Sequence, residues 1–241
     1  MDFCKGNQTL SQYISSEMKR KDPTGNTKAK ERKVTNGPVK SKARTMSKLI
    51  MAVGKVLNRK GYTGLTVSNI AKEAKVNRKL VYLYFGNAEN LIEAYILGKD
   101  YWQFDAKNSI ESILEKKNTG QEDLLMLLKN QFKAVFKNPE LQKIILWEIS
   151  ESNALMQKIA SERDKISDKL VQFVHPKLIS EKVDLPAIVS LLIGGAYYLP
   201  IHATNNGSTI CGIDINENVG EERVLRAFEQ VINLCYNTIG E

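Results

Sequence analysis

Residues 66–91, TVSNIAKEAKVNRKLVYLYFGNAENL, contain the pattern that decides the fold of this chain. Small and apolar side chains recur at helical spacing on both sides of a short polar break, which predicts two short helices joined by a tight turn. Thr66, Asn77 and Asn87 are predicted to cap the successive helices, because their side chains can accept hydrogen bonds from free backbone N–H groups. The inner face that holds the two helices together is predicted to comprise Ile70, Ala71, Ala74, Val76, Val81 and Phe85.

Two short helices joined in this way form a helix-turn-helix, whose second helix usually enters the major groove of duplex DNA. The predicted second helix begins with Asn77, Arg78 and Lys79 and continues with Tyr82 and Tyr84. Arginine and lysine can pair with guanine O6 and N7, while tyrosine hydroxyl groups can reach phosphates. We therefore predict that this segment binds duplex DNA. For Tyr82, packing inside the small domain is an interpretation of equal weight.

Basic residues are concentrated toward the N-terminal end of the chain. Residues 1–45 contain eleven Lys or Arg against four Asp or Glu, and residues 46–86 contain eight against Glu73 alone. Residues 87–241 contain sixteen basic and twenty-two acidic residues, so the first two segments are net positive, the third is net negative, and the whole chain has a net charge of +8. This distribution is typical of a polyanion-binding end joined to a body that does not bind polyanions.

The periodicity predicts an all-α protein of three parts. Residues 1–40 are rich in polar residues and are predicted to form a basic, flexible arm, either contacting DNA or remaining a solvated tail. Residues 41–86 are predicted to form the DNA-binding domain, whose first helix runs from about Ser41 to Lys60. Residues 87–241 are predicted to form a larger helical domain. Breaks between its helices are expected at 118–120, 138–139, 175–176 and 184–186, and a loop at 203–218.

A specific sequence layout accompanies these elements. A helix is followed by Gly-Tyr, then by Thr-x-x-x-Ile-Ala-x-x-Ala-x-Val and Tyr-x-Tyr-Phe-x-x-x-x-x-Leu. The residues concerned are Gly61, Tyr62, Thr66, Ile70, Ala71, Ala74, Val76, Tyr82, Tyr84, Phe85 and Leu91. Over about residues 44–97 this layout resembles the TetR family of bacterial transcriptional regulators. The resemblance implies an N-terminal three-helix helix-turn-helix domain followed by a larger helical ligand-binding and dimerisation domain.

The resemblance also implies which side chains contact DNA. Thr66 and the start of the first motif helix would touch phosphate or a base edge, and the second helix would enter the major groove. Lys48, in the preceding helix, would touch phosphate or simply be solvated. The candidate DNA-binding residues are Thr66, Ser68, Asn77, Arg78, Lys79, Leu80, Tyr82, Tyr84 and Lys48.

Two positions depart from the family pattern. Lys75 occupies the turn position where the family usually has glycine, and a positive φ there would cost roughly 1 kcal/mol. Ala88 stands where the family usually has lysine, so one phosphate contact is missing, although backbone N–H groups at that helix start can still serve.

The second half of the chain suggests a dimer. Residues 187–201 are apolar nearly all round, so this helix must be covered on several sides, and it falls short of the ~20 residues needed to cross a bilayer. Two glycines would let another backbone approach closely, and the last helix would complete half of an intersubunit four-helix bundle. The candidate dimerisation residues are Gly194, Gly195, Leu225, Phe228 and Ile232.

A small-molecule effector follows mainly from the family resemblance. Aromatic side chains with a polar neighbour could line a cavity between helices, although aromatic residues at helical spacing more often form core. The candidate ligand-binding residues are Trp102, Phe132, Phe136, Trp147, Tyr198 and His202.

The sequence therefore predicts a homodimeric transcriptional repressor that binds a pseudo-palindromic operator and is released by an effector. It would act in the bacterial cytoplasm, associated with the nucleoid, without a membrane partner. A ligand-independent architectural or chromosome-organising DNA-binding protein is the alternative. No cofactor, metal or enzymatic activity is expected, because the three cysteines are isolated and His175 and His202 accompany no catalytic motif.

Overall fold

The structure is a computed structural model that describes residues 38–100, 106–180, 182–207 and 209–239, with the side chains of 38–40 excepted. Within these residues the fold is helical, and β-structure is limited to two isolated bridges. The all-α fold class predicted from the sequence is thereby confirmed. The chain divides into two compact units, Met1–Lys99 and Asp100–Glu241. The predicted arm, apart from its last three residues, and Trp102 lie outside the described residues.

The described part of the first unit contains four α-helices. Helix α1 packs against both α2 and α4, and α3 packs against α4. Helix α1 begins at Pro38, slightly before the predicted start at Ser41. The elements are α1 (Pro38–Lys60), a 3-10 turn (Tyr62–Gly64), α2 (Val67–Ala74), α3 (Lys79–Phe85) and α4 (Ala88–Leu97).

The core of this unit is formed by the predicted apolar stripes. Leu49 and Val53 of α1, Ile70 of α2, Val81 of α3 and Leu91 of α4 have no exposed surface. Each fully buried aliphatic side chain of this kind contributes about 1.5–3 kcal/mol. Five of the six residues predicted to form the inner face of the motif are buried, and the sixth, Val76, is half-buried. The two short helices are therefore fixed in place by shared apolar contacts.

The second unit, over its described residues, contains six α-helices. Helices α9 and α10 both pack against α6, which lies at the centre of the unit. The ring of Phe132 on α6 stacks with Phe136 at 6.0 Å and meets Phe228 of α10 edge-on at 5.9 Å. The elements are α5 (Lys107–Lys116), α6 (Gln121–Lys137), α7 (Pro139–Ser150), α8 (Ala154–Val171), a 3-10 turn (Pro176–Leu178), α9 (Leu185–Asn206) and α10 (Asn218–Ile239).

The predicted helix breaks fall where the structure has them, with three differences. The prediction has no break between α4, which ends at Leu97, and α5, which begins at Lys107. Helix α9 continues to Asn206, so the following loop is shorter than the predicted 203–218. A break at 151–153, between α7 and α8, is absent from the prediction. It is marked by Asn153, whose Oδ1 accepts hydrogen bonds from the backbone N–H groups of Leu155 and Met156 at 2.9 and 3.3 Å. Such asparagine caps are a local signal for a helix start.

Helix α9 carries much of its apolar surface outward. Leu191 is 77% exposed and Tyr198 is 60% exposed. With 22 residues, α9 is long and apolar enough to cross a membrane by length and composition, which the shorter apolar run in the sequence did not indicate. Its inner side, including Ala196 and Ile201, is nevertheless buried in its own unit. The helix is thus a core element with one uncovered apolar side.

Candidate nucleic-acid interface

The start of the helix-turn-helix is fixed by side-chain caps. The Oγ1 atom of Thr66 accepts a hydrogen bond from the backbone N–H of Asn69 at 3.3 Å, which confirms the predicted cap of α2. The Nδ2 atom of Asn69 in turn donates to the carbonyl of Gly64 at 2.9 Å. These bonds join α2 to the 3-10 turn before it, so that Thr66 and Ser68 are held at an exposed helix start.

The turn between α2 and α3 depends on Lys75. This residue has φ 55° and ψ 44°, in the left-handed region, as anticipated for a position where the family usually has glycine. Its N–H and that of Val76 return to carbonyl groups in the last turn of α2, the latter to Ala71 at 3.1 Å. A side chain in this conformation costs roughly 1 kcal/mol relative to glycine. The exposed Lys75 side chain therefore makes this turn less stable than glycine would.

The start of α3 presents polar and basic side chains to solvent. The Oδ1 atom of Asn77 accepts a hydrogen bond from the backbone N–H of Lys79 at 2.9 Å. The N-cap position of α3 is nevertheless held by Arg78, which makes no side-chain cap, so the predicted cap lies one residue before it. Asn77, Arg78 and Lys79 are all exposed. The first turn of α3 thus carries hydrogen-bond donors and positive charge on its free surface, which suits base edges and phosphates.

The rest of α3 has one buried and one exposed side. Tyr82 is 55% exposed, so packing inside the small domain is not its role here. Leu80 and Tyr84 are half-buried, and the Lys42 amine lies 5.9 Å from the Tyr84 ring centroid. Leu83 is 70% exposed and was not among the candidate residues. Residues two positions apart in a helix lie on nearly opposite sides, so the position of Leu83 after buried Val81 indicates that it faces outward.

Positive charge dominates the surface of this unit near the motif. Glu73, the one acid among residues 46–86, is ion-paired with Arg59, and the Lys55 amine lies 3.9 Å from it. These pairs join α1 to α2. Lys48 of α1 is exposed, as predicted for a phosphate contact or a solvated face. A surface of this charge attracts a polyanion, and the attraction weakens as salt rises.

The fourth helix begins without the lysine that the family usually has. The Oδ1 atom of Asn87 accepts from the backbone N–H of Asn90 at 2.7 Å, which confirms the predicted cap of α4. The Nδ2 atom of Asn90 donates to the carbonyl of Phe85 at 2.7 Å and thereby joins α3 to α4. Ala88, at the first helical position, offers no amine, so backbone N–H groups are the donors available there.

The second unit contains a cavity of about 610 Å³ between α6, α8 and α9. Leucines of α6 and Val189 and Ile193 of α9 form apolar walls, and Arg163 of α8 contributes a guanidinium. The volume is within the range of small-molecule sites, about 300–1,000 Å³. The cavity is therefore a candidate ligand site that the sequence prediction did not identify.

Five of the six residues predicted to bind a ligand lie elsewhere in the second unit, and the sixth, Trp102, is outside the described residues. Phe132 and Phe136 belong to the core packed against α10, and Trp147 is buried. Tyr198 and His202 lie one helical turn apart on α9, with ring centroids 5.6 Å apart, and Tyr198 is exposed. None of these five is on the lining of the cavity. Their ligand role stays a prediction, and the core role is what the observed packing of the phenylalanines supports.

Arg163 is the best-anchored charged residue of the cavity. Its Nε donates to Asp100 Oδ2 at 2.6 Å and its Nη1 donates to Glu148 Oε2 at 2.6 Å. Asp100 is 1% exposed and the arginine side chain 11%. Burial lowers the pKa of the Arg163 guanidinium, but the two carboxylates more than offset this, and its pKa is raised. The guanidinium therefore remains positively charged and is held by the carboxylates of Asp100 and Glu148.

The predicted dimerisation residues fall into two groups. A Cβ added at Gly194 or Gly195 of α9 would meet no atom within 4 Å, so the backbone at both glycines is uncovered in the protomer. Leu225 is half-buried, whereas Phe228 and Ile232 of α10 are 4% and 0% exposed. The latter two stabilise the core of the protomer and leave almost no surface for a second chain.

Comparison with known proteins gives a family match over the helix-turn-helix and one curated relative. Residues 50–95 match the family described as "Bacterial regulatory proteins, tetR family". The "Fatty acid metabolism regulator protein" of Bacillus subtilis (strain 168) is 30% identical over 122 residues, which cover 50% of this chain. The match spans only 61% of the length of that relative.

Solved structures share the fold. A protein of Clostridium perfringens described as a candidate fatty acid metabolism regulator has a TM-score of 0.54 and 17% identity, over 77% of this chain and 96% of that one. The fatty acid degradation regulator FadR from Bacillus halodurans has a TM-score of 0.54 and 19% identity, over 83% and 96%. The helix-turn-helix of the chain therefore matches the tetR family of bacterial regulatory proteins over residues 50–95, and the two solved structures share the fold of the chain.

Proposed function

We propose that the protein is a homodimeric, sequence-specific transcriptional repressor that a small molecule releases from its operator. The observation that carries this proposal is the exposed start of α3, where Asn77, Arg78 and Lys79 begin the second helix of the tightly packed helix-turn-helix. A helix presented in this way enters the major groove with its first residues against base edges. The surrounding basic side chains would contact phosphates and set the register.

Dimer formation is supported by the uncovered side of α9. Leu191 and Tyr198 are exposed there, and the backbone at Gly194 and Gly195 is open to close approach. Apolar surface of this kind marks an interaction site on a soluble protein. Two copies related by a two-fold axis would bury the same side of α9 and present two α3 helices to half-sites one DNA turn apart.

Release by an effector is supported by the cavity of about 610 Å³ in the second unit. An effector that prefers a conformation in which the two α3 helices are misspaced would lower the affinity for DNA by its differential affinity for the two states. The relatives named as regulators of fatty acid metabolism point to genes of lipid metabolism as the regulated class.

Selection of bound sequences from random duplex DNA tests this function directly. The protein should enrich a pseudo-palindrome whose half-sites are about 34 Å apart, the length of one helical turn. A metabolite extract that contains the effector should abolish the footprint on that sequence. Enrichment of no sequence, with binding insensitive to every extract, would instead establish a ligand-independent architectural DNA-binding protein and refute the repressor.

A further inference from the structure

The cavity of the second unit combines apolar walls with an acidic rim. Asp164 and Asp168 of α8 are exposed residues of the lining, and Glu148 of α7 adds a third carboxylate. Arg163 is the one basic side chain that the described residues place on that lining. Among the described residues, neither Asp164 nor Asp168 takes part in an ion pair. The lining of the cavity therefore carries two exposed carboxylates that no basic side chain contacts within ion-pair distance.

The guanidinium of Arg163 does not offset the negative charge of these carboxylates. Both of its engaged nitrogen atoms donate to carboxylates at 2.6 Å, one to Asp100 and the other to Glu148. The guanidinium has five N–H donors and these two bonds use two of them, but its single positive charge already faces two carboxylates. An anionic head beside Arg163 would therefore meet the charges of Asp100 and Glu148 as well as those of Asp164 and Asp168. Anionic heads, carboxylates included, are thus poorly matched to this site.

A positively charged ligand head suits this site, because the exposed carboxylates of the lining attract it. At the rim, a cation about 4 Å from a carboxylate gains between about 1 and 4 kcal/mol, depending on how far water is excluded. Tyr197 also lies on the lining, and an aromatic ring can attract an organic cation through its face. The lining also includes Leu127, Leu128 and Val174, which are buried and apolar.

We propose that the cavity binds an amphipathic cation, whose apolar chain lies between α6 and α9 and whose charged head is held by Asp164 and Asp168. This assignment rests on the proposed function, since it names the chemical class of the effector. The proposed ligand also differs from the fatty acids that the names of the relatives mention, because a fatty acid has a head of the opposite charge.

Three probes that share one alkyl chain test the proposal: decyltrimethylammonium, decanol and decanoate, at concentrations below micelle formation. Isothermal titration of the full-length protein without DNA should give the order cation, alcohol, carboxylate. Roughly a tenfold difference in Kd is expected between the cation and the carboxylate, which corresponds to about 1.4 kcal/mol. Equal or tighter binding of decanoate would overturn the proposal, and so would a failure of all three probes to bind.

Two variants test where the charged head and the alkyl chain of the probes bind. The double substitution Asp164→Asn with Asp168→Asn should weaken decyltrimethylammonium roughly tenfold and leave decanol unchanged. Glu162→Gln is the matched control, because Glu162 is an exposed acid on the same helix that pairs with Lys165 outside the lining. Ser167→Trp, on the lining, should weaken all three probes by filling space. A cation affinity that the double substitution does not change would contradict the assignment of the head.

The titrations separate this inference from the proposed function. A protein that binds the cation but enriches no DNA sequence would keep the ligand class and refute the regulator. A protein that binds its operator and prefers decanoate would keep the regulator and refute the ligand class.

Discussion

The Nε atom of Arg163 lies 2.6 Å from Oδ2 of Asp100, which joins the wall of the cavity to the first residue of the second unit. Asp100 follows directly on Lys99, where the DNA-binding unit ends. A ligand that shifts α8 would therefore act on the residue at which the chain passes from one unit to the other. We expect Arg163 to transmit a shift of α8 to Asp100, because it holds the Asp100 carboxylate in position.

Arg163→Met should destabilise the protein by about 3–5 kcal/mol, because it leaves the buried Asp100 carboxylate without its guanidinium partner. The free energy of unfolding in urea measures this loss. Combining Arg163→Met with Asp100→Leu should recover part of it, since apolar residues of similar volume often replace buried ion pairs without loss. If the double variant is no more stable than Arg163→Met, the pair is not the cause. Glu162→Gln, at an exposed position of the same helix, should leave the unfolding midpoint unchanged.

Lys75→Gly should stabilise the protein by about 1 kcal/mol, because it removes a side chain from a left-handed conformation with φ 55°. The same substitution should weaken DNA binding if the Lys75 amine contacts phosphate. Lys117→Gly is the matched control, since Lys117 ends α5 with φ 51° in the second unit. It should give a similar gain in thermal stability with no change in DNA affinity. A loss of stability on Lys75→Gly would show that this turn is not strained.

Arg78→Ala should weaken operator binding by ~1–3 kcal/mol and relax the preference at one base pair. Arg78 is exposed at the N-cap position of α3, where a side chain can lie against a base edge. Binding to the operator and to its single-base variants measures both effects. Lys72→Ala, an exposed lysine of α2, serves as a control that should reduce affinity without changing preference. An equal loss on random DNA would make Arg78 a phosphate contact.

Removing residues 1–36, which leaves α1 intact from Pro38, tests the basic arm. If the arm contacts phosphates, affinity should fall uniformly across sequences, and the slope of log K against log salt should become shallower by about 0.9 per lost contact. Filter binding at several salt concentrations gives this slope. An unchanged slope would assign the arm to a solvated tail.

Local chemistry explains which features the sequence could predict. Thr66 and Asn87 each cap the helix predicted for them, because a cap depends on atoms two or three residues apart. The ion pairs of Arg163 could not be found in this way, since Asp100 is 63 residues distant along the chain. Helical spacing likewise predicts that the side of α6 with Phe132 is buried, but it could not show that Phe228 of α10 covers it.

Leu191→Glu should shift the protein from dimer toward monomer, because Leu191 is 77% exposed in the protomer and lies on the uncovered side of α9. A charge in an apolar interface must be desolvated, which costs several kcal/mol when no partner is present. Sedimentation velocity measures the oligomeric state. Ile149→Glu is the matched control, since Ile149 is 72% exposed on α7. It should leave the dimer intact, and a dimer that also persists in Leu191→Glu would place the interface on another surface.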